Sequence, residues 1–361
     1  MSVFVVTRSA AYAGAISVFG CCLLLTGCSS GGHVISGSTS NPTSAAGAAL
    51  AQQGPELGFL WSSSEQSLRP ILGVTGASQF GPPVVEAGTY LAAGASARSG
   101  EAILEDKSGE VSLMSVPGGT PIPLSGVHLT GTAQFVFSPS GANAVVFVPG
   151  QSTVFLLMGL ESSPQAPGVQ ALSGGVALAA AAVSDTGQVV AASGSGPTTL
   201  TLLTGNGAPV ASLGGLGGIA FLPGGSDLLA MDTVNGVLRL IPGSAISGGA
   251  GGSIAGGGSV AQSFTSSAFR TPFAVAASQD GRTAVVANGA DSSVVRVDLT
   301  NATGPMRIPC TCKVDRLTPL AGNAVFALSG PGAAPAWMVD ASTSLPRTLF
   351  IPAMVNPMVK P

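Results

Sequence analysis

Six glycines mark a recurring turn and constrain the architecture more than any other feature of the chain. Gly100, Gly141, Gly187, Gly225, Gly281 and Gly322 each close a turn between two short apolar runs, at spacings of 41, 46, 38, 56 and 41 residues. The clearest unit is FAVAASQDGRTAVVANGADSSVVRVDLTN, Phe273 to Asn301. It reads as an apolar strand, a turn ending in Gly, a second apolar strand, a polar turn and a third strand. Other units begin at Ala133, Ala177, Gly218 and Arg316, and a more degenerate one begins at Thr89. The long spacing has a visible cause: GSAISGGAGGSIAGGGSVAQ, between Pro242 and Ser263, is a Gly/Ser-rich insertion that lengthens a loop.

A period of about 40 residues with about four strands per unit is that of a propeller blade, a small twisted sheet that packs face to face on its neighbours. The predicted fold is therefore an all-β propeller; another repetitive all-β fold is the competing reading. The run Val176 to Val183 (VALAAAAV) suits a strand crowded around a central axis, and an Ala-rich helical turn is its alternative. Gly58–Val74 (GFLWSSSEQSLRPILGV) reads as two outer strands without inner partners. The C-terminal LFIPAMVNPMVKP could supply an inner strand to that blade and close the ring by pairing the two ends. Seven blades of four antiparallel strands result. Six, with the N-terminal strands packed elsewhere, is the alternative.

The segment Ser278 to Thr300 (SQDGRTAVVANGADSSVVRVDLT) resembles the YVTN-type β-propeller repeat. Asp280-Gly281 stands for its SPDG-like turn, Val286-Ala287-Asn288 for its VAN, and the final VVRVDLT for its VxVxDL-like strand. Elsewhere the turn departs to SPSG, SDTG and LPGG. The resemblance implies a propeller, and it raises the possibility of an enzyme, because lactonase-like propellers belong to the same group.

The N-terminus carries an export pattern. Arg8 supplies the charge, Ala10 to Leu25 run without an ionised side chain, and Leu25-Thr26-Gly27-Cys28 resembles the bacterial lipobox. The predicted organisation is a signal peptide over 1–27, a Ser/Gly/Ala tether over 28–55 and a propeller over 56–361, with Cys28 carrying the lipid. A plain secretory signal or an uncleaved anchor is the alternative. Cys21 and Cys22 lie within the apolar core of the signal and act as small hydrophobes. Ser29 follows the cysteine where an Asp would resemble an inner-membrane retention signal, so an outer membrane is favoured if the organism has two.

Composition limits the chemistry. The chain has 361 residues, 45% hydrophobic and 8% charged, with 13 Lys+Arg against 16 Asp+Glu. Past residue 27, no run of about 20 apolar residues reaches the length of a membrane-spanning helix. The acidic balance lacks a nucleic-acid footprint. Neither histidine outside the signal, His33 in the tether or His128 in SGVHLTG, has neighbours that suggest a metal site. Glu101, Glu105, Asp106 and Glu110 lack the ordered spacing of a calcium loop and read as a solvated hairpin. GGAGGSIAGGG lacks the Lys-Ser/Thr of a phosphate loop, and the G-x-S-x-G at Gly27–Gly31 straddles the cleavage site. No catalytic, metal or cofactor constellation is predicted. Cys310 and Cys312 are expected to pair as a disulfide in an oxidising compartment, given a turn or bulge beside Pro309; a soft-metal pair and two free thiols are the alternatives.

Two functions compete. One is a membrane-tethered propeller that binds a protein, peptide or glycan; the other is a lactonase-like or other hydrolytic enzyme. Poverty in ionisable side chains favours the first, and a funnel lined by several acids plus Arg would favour the second.

Overall fold

A computed structural model describes residues 54–353, apart from 163, 195, 206, 248–261, 301, 302 and 333. The predicted signal peptide, Cys28, His33 and the tether up to residue 53 lie outside the described residues. So do the glycine-rich GGAGGSIAGGG and residues 354–361.

The strands form seven sheets in sequence order. The first holds β1 (Glu56–Ser62), β2 (Ser67–Val74) and β3 (Ala77–Phe80). The second holds β4 (Tyr90–Ala95), β5 (Glu101–Asp106), β6 (Glu110–Ser115) and β7 (Ile122–His128). The third holds β8 (Gln134–Phe137), β9 (Asn143–Phe147), β10 (Thr153–Met158) and β11 (Gly168–Ala171). The fourth comprises β12 (Leu178–Val183), β13 (Val189–Ser193), β14 (Thr198–Leu202) and β15 (Pro209–Leu213). The fifth comprises β16 (Leu216–Phe221), β17 (Leu228–Asp232), β18 (Val237–Ile241) and β19 (Gln262–Thr265), with a short helix α1 (Gly243–Ser247) at the start of the Gly/Ser-rich insertion. The sixth is β20 (Pro272–Ala277), β21 (Thr283–Asn288), β22 (Ser293–Asp298) and β23 (Met306–Pro309), and the seventh β24 (Thr318–Pro319), β25 (Val325–Ala327), β26 (Ala336–Asp340) and β27 (Arg347–Ile351). All pairings are antiparallel between neighbours in the chain. The protein is a seven-bladed β-propeller.

The second strand of each four-stranded blade explains why the sequence shows continuous apolar runs rather than alternation. NAVVF, LLAMD and TAVVAN are buried at every position, because each lies within a sheet whose two faces are covered by other blades. The hydrophobic core is correspondingly divided into seven clusters, each joining two adjacent blades. Leu202 and Val210 meet Phe221 and Leu228 between the fourth and fifth, and Val285 and Ile308 meet Phe326 and Val339 between the sixth and seventh. Leu60 and Ile71 meet Leu320 and Met338 between the first and last, which closes the ring.

All six repeat glycines lie in the turn between the first and second strands of a blade. Five have positive φ there, but in the fifth blade the left-handed residue is Gly224 (φ +69°) rather than Gly225. The first blade has no glycine at its β1–β2 turn, where Gln66 takes φ +49°. Within VALAAAAV, Leu178–Val183 form the inner strand β12, not a helical turn.

The first sheet supplies the outer strands of a blade, as Gly58–Val74 predicts, with β3 added. The inner strands of neighbouring blades run in the same direction: a Cβ on Gly94 would touch Phe135, and Arg98 reaches the Pro139 carbonyl. By contrast, β1 runs opposite to β24, since Ala321 N–H donates to Leu57 O at 2.7 Å while Arg316 Nη1 donates to Trp61 O at 3.2 Å. Its direction is that of a second strand. The C-terminal piece is placed differently from the expectation at its start: Leu349, Phe350 and Ile351 belong to β27, the fourth strand of the last blade, paired with β26 from Ala336↔Ile351 to Asp340↔Arg347. Ile351 is fully buried in the cluster between the last and first blades, which holds it there. The remaining segment expected to enter the first blade lies outside the described residues.

Candidate functional site: the axial channel

A cavity of about 690 Å³ runs along the axis, lined by the first strands of the six four-stranded blades and by β1 of the three-stranded one. Its wall is mostly apolar. Trp61, Phe135, Phe137, Phe221 and Phe273 contribute rings, and β12 contributes Ala180, Ala181 and Ala182. Phe273 stands at the start of β20 with 39% of its surface exposed, a large apolar side chain left in contact with solvent.

Small residues let the wall close. Gly218 has φ +114°, and a Cβ there would lie 2.9 Å from the Val275 backbone nitrogen. That approach brings β16 against β20, and neither the conformation nor the space admits a side chain.

Among the described residues, the charged groups on the wall are Arg98, where the chain leaves β4, and Asp315 and Arg316, where it enters β24. Arg98 follows β4; its guanidinium donates to the Pro139 carbonyl of the next blade, and burial lowers its pKa against the opposing pull of Asp185. Arg316 precedes β24 and joins Asp315 at 3.1 Å while reaching Trp61 O across the ring closure. These three groups are spent on one another and on backbone carbonyls.

The carboxylates of the first repeat unit do not converge. Glu101 accepts a hydrogen bond from Ser115 Oγ at 2.8 Å, and Asp106 caps its own turn through Ser108 and Glu110 N–H. Those turn donors, chiefly the Ser108 hydroxyl, hold Asp106 below the usual carboxylate range despite some desolvation. Glu110 reaches the exposed His128 at 3.2 Å. Glu105 departs from the solvated hairpin expected of it: it is fully buried, and its Oε2 accepts the Ala133 N–H of the next blade at 2.8 Å. Sequence alone hides this, because a buried inter-blade acceptor and a solvated turn acid look alike in EAILEDKSGE. Among the described residues, no group of three or more His, Cys, Asp or Glu is placed to hold a metal.

Cys310 and Cys312 lie in the loop between β23 and β24 with Cα atoms 5.1 Å apart, within the range a disulfide spans. Cys312 is buried in the cluster joining the last two blades.

No family model matches the chain, and no curated protein matches it. Solved structures do. A protein of unknown function from Desulfotomaculum acetoxidans DSM 771 superposes with a TM-score of 0.56 at 9% identity, over 83% of this chain and 100% of that one. The β-propeller domain of Cps50 (Swd1) from Myceliophteria thermophila gives 0.52 at 14% identity, over 73% and 87%. A chain of the mitotic checkpoint complex gives 0.50 at 12% identity, over 70% and 74%. At these identities the likeness is one of fold.

Proposed function

We propose that the chain is an exported, lipid-anchored propeller that serves as a binding or scaffold module for a protein, peptide or glycan. The observation that carries the binding role is the axial channel, whose wall offers aromatic and aliphatic surface with an exposed Phe273 at a strand start. Apolar concave surface with a few polar groups is what ligand recognition uses. The hydrolytic reading needs several acids with an Arg converging on the axis; among the described residues the wall carries one acid, Asp315, already paired with Arg316.

The lipid anchor on Cys28 rests on the sequence pattern alone. A lipoprotein's several acyl chains would hold the propeller stably at a membrane, the outer one if there are two. The YVTN-type reading of the sixth blade draws support from its turn, where Ser278 Oγ donates to Asp280 Oδ1 at 2.6 Å and Gly281 takes φ +68°.

Two experiments test the proposal. Cells fed an alkyne fatty acid should label the chain, and Cys28→Ala should abolish the label; label persisting in that variant overturns the anchor. Selection of displayed peptides on the full chain in detergent should return binders that are lost in Phe273→Asp. Binders indifferent to Phe273 would overturn the channel as the site.

A further inference from the structure

We infer that the sixth blade carries a second recognition site, a cleft that takes a carboxylate from an acidic peptide segment. The inference rests on the binding-module reading and deepens it.

The cleft has a volume of about 510 Å³ and is bounded by Ser267, Ala268, Arg270, Ala290, Asp291 and Arg307. Two loops and an outer strand make its walls: the segment leading into β20, the β21–β22 turn, and β23. A fully buried Asn288 locks the loops together. Its Oδ1 accepts the Arg270 backbone N–H at 2.9 Å, and its Nδ2 donates to Ala268 O and to Ser293 Oγ, each at 2.9 Å. The buried Ser293 hydroxyl donates to Asp291 Oδ1 at 2.6 Å and accepts from Arg307 Nε at 3.2 Å. Arg307 Nη2 completes the frame on Asp291 Oδ2 at 2.9 Å. Backbone bonds from Gly289 N–H to Thr271 O and from Ala290 N–H to Arg270 O tie one rim to the other.

Two features separate this frame from an ordinary hairpin. Thr271 and Ser292, one on each loop, hold φ of +46° and +47°, a region that non-glycine residues enter at a cost and that clusters at binding sites. Arg270, meanwhile, spends its main chain on the frame but has no ion-pair partner for its guanidinium among the described residues. It is exposed and lines the same cavity as Arg307.

The charge selects the ligand. Two guanidiniums and one carboxylate leave the cleft with one positive charge, which matches a singly charged carboxylate better than a doubly charged phosphate. A guanidinium presents paired donors suited to the two oxygens of a carboxylate. A protein that is acidic overall, with 13 cations in 361 residues, concentrates two of them here. An Asp or Glu side chain is the group that fits.

Fluorescence anisotropy of the full chain in detergent provides the test, with a labelled Glu-rich hexapeptide and its Gln counterpart as probes. The Glu peptide should bind, the Gln peptide should bind at least about tenfold more weakly, and Arg270→Gln should weaken the Glu peptide by about tenfold or more. Arg270→Gln keeps the backbone bond to Asn288, so the blade stays folded. Arg282→Gln, which removes an exposed cation from the β20–β21 turn of the same blade, should leave binding unchanged. Equal loss in both variants, or no binding of the Glu peptide, overturns the site. Competition by inorganic phosphate at lower concentration than by acetate overturns the carboxylate assignment. Peptides that need Phe273 but tolerate Arg270→Gln would remove this site while leaving the channel reading standing.

Discussion

The carboxylate of Asp185 accepts the backbone N–H of Gly224 at 3.0 Å, reaching from the first turn of the fourth blade to that of the fifth. Its other oxygen accepts Ser140 N–H from the third blade at 2.7 Å, so one side chain staples three blades. Asp280 and Asn323 repeat the device between the sixth and seventh, where Asp280 N–H donates to Asn323 Oδ1 at 2.9 Å and Asn323 Nδ2 returns a bond to Asp280 Oδ2 at 3.0 Å. Blades that share no ladder hydrogen bonds are thus tied at their turns as well as by their apolar faces.

Asp185→Ala leaves two backbone donors without their acceptor and should cost about 1–3 kcal/mol in urea unfolding. Burial works to raise the Asp185 pKa, but the donors from Gly224, Ser140 and Ser138 outweigh it and hold it below the usual value. Its contribution is therefore present above the unfolded carboxylate value of 3.8 and lost as pH falls through the lower folded one. Unfolding free energies of the two proteins should converge on acidification; a difference that stays constant with pH would contradict the staple.

Glu105 carries the opposite sign. Burial, its largest influence, raises its pKa; the Ala133 N–H opposes this and Asp106 adds to it. The folded state holds the proton more tightly than the unfolded chain. The contribution is fully present below the ordinary value of 4.5 and is lost as pH rises through the higher folded value. Glu105→Gln, which keeps an acceptor for Ala133, should flatten that decline in unfolding free energy above pH 4.5.

Gly218→Ala tests the close approach of β16 to β20. The added methyl meets the Val275 nitrogen at 2.9 Å in a left-handed conformation, so a loss of about 1–3 kcal/mol is expected. Gly236→Ala, at another positive φ (+58°) but with open space around the Cβ, separates strain from crowding and should cost less.

Cys310 and Cys312 should resist alkylation until a reductant is added, in protein recovered from an oxidising compartment. Cys310→Ser should shift the thermal midpoint little, because a loop closed between residues two apart restricts few unfolded conformations.

The amino-acid sequence determined the repeat and placed the first turn of six blades, because a residue free to take positive φ, almost always glycine, recurs where the inner strand reverses into the buried second strand. Continuous runs such as TAVVAN announce strands covered on both faces. The outer strands left a weaker mark: β11 (GVQA) alternates between partly buried and exposed, and a short edge strand needs no apolar signature. Tertiary structure alone decided which polar residues meet. Asp185 and Gly224 stand 39 residues apart, and Arg270 and Arg307 line one cleft from different loops and strands. Spacing along the chain carries no record of such meetings. The rotation from blade to blade, set by the packing of apolar faces, brings Asp185 to Gly224, and strand pairing within the sixth blade brings Arg307 beside the loop that carries Arg270.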